Sequence, residues 1–264
     1  MVIPKPAHLG PAYAAQFQDA AVVAAYPTRP PYPAAVADLL ASLALEPRVA
    51  LDVGCGTGDV ARRLALRMER VDAVDISAAM VAAGQRLPGG DAANLRWQIA
   101  ALEDAPLAGP YGLVVAGESL HWMDWERVLP RLRAALAPGA ALVIVERAEE
   151  PSPWSEALLA LIQRSSTNRE FQPYDLVDEL ARRGLFTLTG QTRIASESFS
   201  QPLASYIESI HSRNGFSRDR MRPEDAAAFD AAAAALVAPY APDGQVNLRV
   251  GAVVRWGSPL APIR

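Results

Sequence analysis

The sequence predicts an α/β fold, a largely parallel sheet with helices on both faces. Three observations predict it. The short apolar runs "RVALDVG", "VDAVDI", "YGLVVA" and "ALVIVE" have the character of strands buried on both sides. The segments between them repeat their apolar residues at helical spacing. A glycine-rich turn joins the first run directly to a helix. Alternation of this kind builds right-handed crossovers and a layered domain.

In chain order, residues 1–33 read as a loop-rich arm with one helix near Gln16 to Tyr26, closed by "YPTRPPYP", whose prolines stop helix growth. "AAVADLLASLAL" places Val36, Leu39, Leu40 and Leu43 on one helical face, and the first strand follows. "DVARRLALRM" resumes helical spacing through Val60, Leu64 and Met68, and "SAAMVAAGQRL" gives another helix after the second strand. "LRWQIA" and "YGLVVA" read as the third and fourth strands. "VLPRLRAALAPG" is a helix stopped by Pro138 and Gly139, before the fifth strand "ALVIVE". The core is therefore assigned to 34–150. Residues 151–240 read as a helical cap with a sheet strand near 185–195, and 241–264 as a terminal strand, "QVNLRVGAVVRW", with a tail.

Composition narrows the function. A 264-residue chain is long enough for a large core. Its net charge of -4 supplies no basic field for a phosphate backbone, which argues against a nucleic-acid substrate. One cysteine and three scattered histidines form no zinc pattern, so no metal is expected. The first residues, "MVIPKPAHLGPAY", make a poor secretory signal, and no uncharged apolar stretch is long enough to span a membrane. A cytoplasmic protein acting on a small molecule is the expectation.

The most informative stretch is "LDVGCGTGD", residues 51–59. Gly54, Gly56 and Gly58 are able to adopt positive φ and leave room for a close ligand, while the next helix offers unpaired amides. A Walker loop would need a terminal Gly-Lys, which is absent. The dinucleotide fingerprint wants a glycine where this chain has Asp59, yet Asp75 is well placed for a ribose, so a nicotinamide enzyme stays an alternative.

"ALDVGCGTGD" followed by "VDAVDIS" resembles the motifs of class I S-adenosylmethionine-dependent methyltransferases, especially the small-molecule group with trans-aconitate and ubiquinone-pathway enzymes. The likeness is clearest over residues 13–146. It implies a Rossmann-like seven-stranded sheet in the order 3-2-1-4-5-7-6 with a helical cap, and S-adenosylmethionine as cofactor. It also implies that Asp52 organises the glycine loop or meets the cofactor's amino group. Gly54, Gly56 and Gly58 would admit the methionine portion, Asp75 would bind both ribose hydroxyls, and Ile76 and Met80 would contact the adenine. "IAALEDAPL" resembles the next adenine-contacting motif but lacks its aspartate, leaving Ala101 and Leu102 near the base. The implied activity is methyl transfer to a small acceptor, with oxygen slightly ahead of nitrogen and carbon. A methyltransferase-like protein that binds the cofactor without catalysis is the other alternative.

The candidate chemistry lies in "GESLHWMDW", after the fourth strand. If Glu118 to Trp125 is helical, Glu118, His121, Trp122 and Trp125 share a broad face. His121 is a candidate base or substrate orienter, a pocket-lining hydrogen-bond residue or a structural histidine, with Glu118 orienting it, stabilising positive charge or capping a helix. Trp122 and Trp125 would shape the substrate pocket or simply pack in the core. Phe17, Tyr26 and Tyr32 would bring the arm over the substrate or anchor it to the sheet. From the cap, Tyr206, His211, Arg213 and Asn214 are candidates for a polar substrate, and Arg213 or Arg218 for a carboxylate.

Overall fold

A computed structural model describes residues 5–260; the first four residues of the expected arm and the last four of the expected tail lie outside the described residues. Seven strands form one sheet: β1 Val49–Val53, β2 Arg70–Asp75, β3 Leu95–Ile99, β4 Leu113–Gly117, β5 Leu142–Glu149, β6 Phe186–Pro202 and β7 Gln245–Pro259. Their order is β3-β2-β1-β4-β5-β7-β6, as the resemblance implied. The first five run parallel, and β7 lies antiparallel between β5 and β6.

Strand character follows burial. Every residue of β1 is buried, as its continuous apolar run requires, whereas β6 alternates partly buried and exposed residues along much of its length because it is an edge. In β1, Leu51 and Val53 join Val74, Val114, Leu129 and Leu132 on one face of the sheet. Ala50 packs on the other face with Val60, Leu64, Val71 and Val115.

The arm contains α1 Pro11–Ala14 and α2 Ala20–Ala25. The single helix expected near Gln16 to Tyr26 is broken at Asp19, whose backbone is extended (φ -67, ψ 137) between a 3₁₀ turn at Ala15–Gln18 and α2. A tertiary demand overrides helix propensity there. The Asp19 carboxylate reaches across to accept bonds from Ser217 and Arg220.

Four helices cover the parallel strands: α3 Ala34–Leu43, α4 Asp59–Leu64, α5 Ala78–Gln85 and α6 Trp125–Ala135. Ser77 caps α5 through the Met80 amide, and Asp124 caps α6 through the Arg127 amide. Beyond β5 come α7 Ser155–Ser165, α8 Leu176–Arg182, α9 Leu203–His211 and α10 Pro223–Val237. A third apolar cluster unites α7, α9 and α10 around Phe216 and Phe229, against Val246, Leu248 and Val250 of β7. The strand expected near 185–195 runs on to Pro202, so β6 separates α7 and α8 from α9 and α10. Among the described residues, no helix is long and apolar enough to cross a membrane.

Strand order reverses between β1 and β4. Open α/β sheets bind ligands outside the carboxyl ends of the strands at such a point. The glycine turn leaves β1 there, and the Glu118 segment leaves β4.

Candidate active site

Gly54, Gly56 and Gly58 all have positive φ, at 64°, 55° and 74°, but they serve different neighbours. A Cβ on Gly54 would lie 2.6 Å from the Ser119 Cβ, and one on Gly56 would lie 3.2 Å from the Tyr26 hydroxyl. A Cβ on Gly58 would lie 2.4 Å from the Trp97 ring, and Gly58 lines neither cavity described below. The absence of a side chain there makes room for the Trp97 ring beneath the turn. Asp52 also sits below the surface, 2% exposed, where its carboxylate accepts the Ala61 amide of α4 at 3.0 Å. Burial pushes that carboxyl up to about 7 despite the amide. Asp52 thus ties β1 to the helix after the turn and faces no cavity.

A cavity of about 700 Å³ opens over the turn. The ends of β1 and β2, the first turn of α5 and the loop after β3 bring Gly54, Gly56, Asp75, Ile76, Met80, Ala101 and Leu102 to its wall. The Asp75 carboxylate accepts the Gly56 amide at 2.7 Å and the Ser77 amide at 2.8 Å. Burial raises its pKa, and these two amides oppose the rise. A carboxylate has about four acceptor positions, so these two amides leave about two, the number a ribose diol needs. Ile76 is 52% exposed beside it, a large apolar side chain that a flat base would cover. The acceptor pair, apolar wall and glycine-floored mouth fit S-adenosylmethionine, and a volume of this size suits such a ligand.

A second cavity, of about 1060 Å³, adjoins the first. Leu9, Phe17, Glu118, Ser119 and Trp122 line both. The Phe17 and Trp122 rings meet 5.3 Å apart, and His121 lies edge-on to Trp122 at 4.6 Å. His121 belongs to the second cavity alone.

The helical face expected across Glu118 to Trp125 does not form. Glu118 has φ 50, a 3₁₀ turn covers Leu120–Trp122, and α6 begins only at Trp125. The left-handed backbone at Glu118 turns its carboxylate to Arg147, which donates from its guanidinium at 3.0 Å and its amide at 3.1 Å. Burial alone would raise the Glu118 carboxyl, but Arg147 and then Arg29 hold it below the usual range. Desolvation lowers the His121 imidazole to about 4, against the opposing pull of Glu118. His121 is therefore neutral at pH 7.

Among the aromatic candidates, Phe17 borders both cavities, Tyr26 borders the first, and Trp125 lies at the first with its indole N–H committed to the Leu120 carbonyl at 2.8 Å. Tyr32 is 6% exposed under the Arg147 guanidinium and lines neither cavity. Tyr206 accepts the Trp154 indole N–H at 3.0 Å inside the cap core and also lines neither. His211 is wholly buried between the Phe216 carbonyl at 2.8 Å and Asp230 at 2.7 Å, and Arg218 is paired with Glu208 and Asp230. Those residues stabilise the cap. Arg213 and Asn214 do reach the second cavity, where Arg213 pairs with Glu149 at 3.3 Å.

Sequence reasoning passed over Arg29 and Arg147, which both line the second cavity. Arg147 had a usable signal, since it follows "ALVIVE" on the strand beside β4. Arg29 had none, because its place depends on how the arm folds back. Its guanidinium lies over the Tyr26 ring at 4.3 Å and donates to the Ser212 hydroxyl at 2.7 Å. Among the described residues it has no carboxylate partner within ion-pair distance, and no His, Cys, Asp or Glu cluster is arranged to hold a metal.

Residues 50–139 match the family model described as a methyltransferase domain. The chain is 36% identical over 150 residues to a trans-aconitate 2-methyltransferase of Paracidovorax citrulli, across 50% of this chain and 56% of that protein. It is 33% identical over 135 residues to ribosomal RNA small subunit methyltransferase C of Chromohalobacter salexigens, across 48% and 40% respectively. The chain thus spans about half the length of the curated relatives it matches. A candidate type II methyltransferase from Anaeromyxobacter dehalogenans has a solved structure similar to this one, with TM-score 0.59 and 24% identity over 89% of this chain and 99% of that one. That likeness is one of fold.

Proposed function

We infer that this chain, which carries a class I S-adenosylmethionine-dependent methyltransferase domain related to the trans-aconitate methyltransferases, transfers a methyl group to a small molecule held in the second cavity. The observation that carries this reading is the wall shared by the two cavities. A donor over the glycine turn and an acceptor beside His121 would meet across Phe17, Glu118 and Trp122. Holding two reactants in register is a large part of what such a reaction needs from a protein.

When bound, the cofactor supplies an electrophilic methyl group on a positively charged sulfur. Asp75 holds the ribose through its open acceptor positions, and Ile76, Met80, Ala101 and Leu102 cover the base. Phe17 and Trp122 keep water from the partition. Glu118, kept ionised by Arg147, brings negative charge to the same wall.

We read the acceptor as a carboxylic acid and the methylated atom as oxygen. Arg29 supports this, as a cavity arginine with no carboxylate within ion-pair distance among the described residues. A carboxylate brings its own electron pair, so His121 would orient it by hydrogen bonding, whereas a hydroxyl acceptor would need His121 to take its proton.

Calorimetric titration with S-adenosylhomocysteine and with NAD(P), then transfer from labelled S-adenosylmethionine to a panel of small acids, tests the reading. Tight nicotinamide binding without homocysteine-product binding would make the chain an oxidoreductase. Product binding with no transfer across the panel would favour a binding protein.

A further inference from the structure

Four arginines line the second cavity, and Glu118, Glu146 and Glu149 offset three of them. Arg147 pairs with Glu118 at 3.0 Å and Arg213 with Glu149 at 3.3 Å. Neither histidine of the wall adds charge at pH 7, because burial lowers both imidazoles, His121 to about 4. The wall thus carries a surplus of one positive charge, which a single carboxylate matches and a polycarboxylate exceeds.

Another part of the wall is apolar and uncovered. Leu159, Ile162, Gln163 and Ser166 line the cavity at the spacing i, i+3, i+4 and i+7, so one face of α7 and its C-cap point into it. Leu158 and Leu161 turn the other way, into the cap core. α7 is therefore apolar on two faces, and Leu159 on the cavity face is 54% exposed. Phe171, in the segment after α7, is 57% exposed on the same cavity wall. It meets the uncharged His8 ring edge-on at 5.4 Å, with Tyr174 against the same ring at 5.1 Å. Large apolar side chains left open on a cavity wall gain their burial free energy only when a ligand covers them. The volume of about 1060 Å³ belongs with pockets that hold drug-sized ligands, and a compact polyacid would leave most of it to water.

Resting on the methyl-transfer reading above, we propose that the acceptor is a monocarboxylic acid with an apolar tail, its carboxylate at Arg29 and its tail against Leu159, Ile162 and Phe171. Different elements supply the two parts: the arm delivers Arg29, while α7 and the segment after it deliver the apolar side. None of these four residues lines the first cavity, so the preference for a tail is set apart from cofactor binding.

The experiment titrates the full chain, with and without saturating S-adenosylhomocysteine, with butanoate, hexanoate, octanoate, octanamide and propane-1,2,3-tricarboxylate. Burying one methylene is worth about 0.8 kcal/mol, close to fourfold in affinity, so octanoate should bind about tenfold or more tightly than butanoate even with a half-buried tail. Octanoate should also bind about tenfold or more tightly than octanamide, which lacks the charge, and than the tricarboxylate. Leu159→Gln combined with Phe171→Ser should cut the octanoate-to-butanoate ratio to about threefold or less, with butanoate and homocysteine-product affinity nearly unchanged. Both side chains are more than half exposed, so folding depends little on them. Should the double variant not fold, each single variant should still lower the ratio by about half. Equal binding of butanoate and octanoate, binding of neither, octanamide or the tricarboxylate binding as tightly as octanoate, or an unchanged ratio in the folded variants would overturn the assignment. Failure of S-adenosylhomocysteine to bind the wild type is a separate result. It sinks the methyl-transfer reading, while the acid series measured without it still reports on the cavity.

Discussion

The Asp75 carboxylate accepts the Gly56 amide at 2.7 Å, so the acid that faces the first cavity also pins the turn beneath it. Asp75→Asn keeps the size but loses charge and one acceptor. Loss of a charged hydrogen bond should weaken S-adenosylhomocysteine binding by about 1.5 to 3 kcal/mol, roughly tenfold to 150-fold. Calorimetry on the variant measures it, and unchanged affinity would reduce Asp75 to a turn-stabilising residue.

The glycines should separate by phenotype. Gly56→Val adds a branched side chain at φ 55 facing Tyr26, and should weaken cofactor-product binding more than folding, with backbone strain of about 1 to 3 kcal/mol. Gly58→Ala presses a methyl group into the Trp97 ring from φ 74. It should lower the melting temperature while the folded protein keeps its affinity. Thermal unfolding paired with titration distinguishes the two, and the reverse pattern would reassign the turn.

His121 sets a pH dependence whose sign is fixed by its lowered pKa of about 4. A group depressed in the folded state contributes stability that is present above its unfolded value, about 6.5, and lost as pH falls through the folded value. Between those limits unfolding takes up a proton. Wild-type stability should therefore decline from around pH 6.5 towards pH 4 more steeply than that of His121→Gln, as measured by denaturant titration. By the same shift, turnover should not fall between pH 8 and 6 through His121 protonation. With a carboxylate acceptor, His121→Ala should change the acceptor KM more than kcat. A kcat loss of roughly 10² to 10⁴ would instead identify a base acting on a hydroxyl.

Arg29→Met tests the acid reading from the other side. It removes the guanidinium over Tyr26 and its two hydrogen bonds to the Ser212 hydroxyl and carbonyl. The acceptor KM should rise by about tenfold to 150-fold, the range for a lost charged hydrogen bond. Affinity for S-adenosylhomocysteine should stay within about threefold. A neutral acceptor unaffected by the substitution would overturn the carboxylate assignment.

The parallel half of the sheet was legible because its strands announce themselves as continuous apolar runs and its first turn as spaced glycines; β1 and its turn fall where "RVALDVG" and "CGTG" put them. Sequence spacing misread the Glu118 segment, since it carries no mark of a left-handed residue at Glu118, a conformation that pairing with Arg147 on β5 accompanies. The arm was obscure for the same cause. Asp19 leaves the helix to bind Ser217 and Arg220, about 200 residues away, and Arg29 arrives at the second cavity by the same folding back. His211 and Tyr206 looked like substrate contacts because polarity is visible in a sequence, whereas partners such as Asp230 and Trp154 are not.

Five residues belong to the walls of both chambers, and this gives Phe17, Trp122 and Glu118 a thermodynamic position that candidates on one wall alone do not hold. If donor product changes acceptor affinity by some factor, the acceptor must change donor-product affinity by the same factor. A side chain touching both ligands would alter that heterotropic factor itself, while Asp75, which lines the first cavity and not the second, would alter only the donor-product affinity. Measured in both orders of addition, Phe17→Leu and Trp122→Phe should therefore shift two equilibrium constants in concert, and the cooperativity between donor and acceptor should reside in the partition.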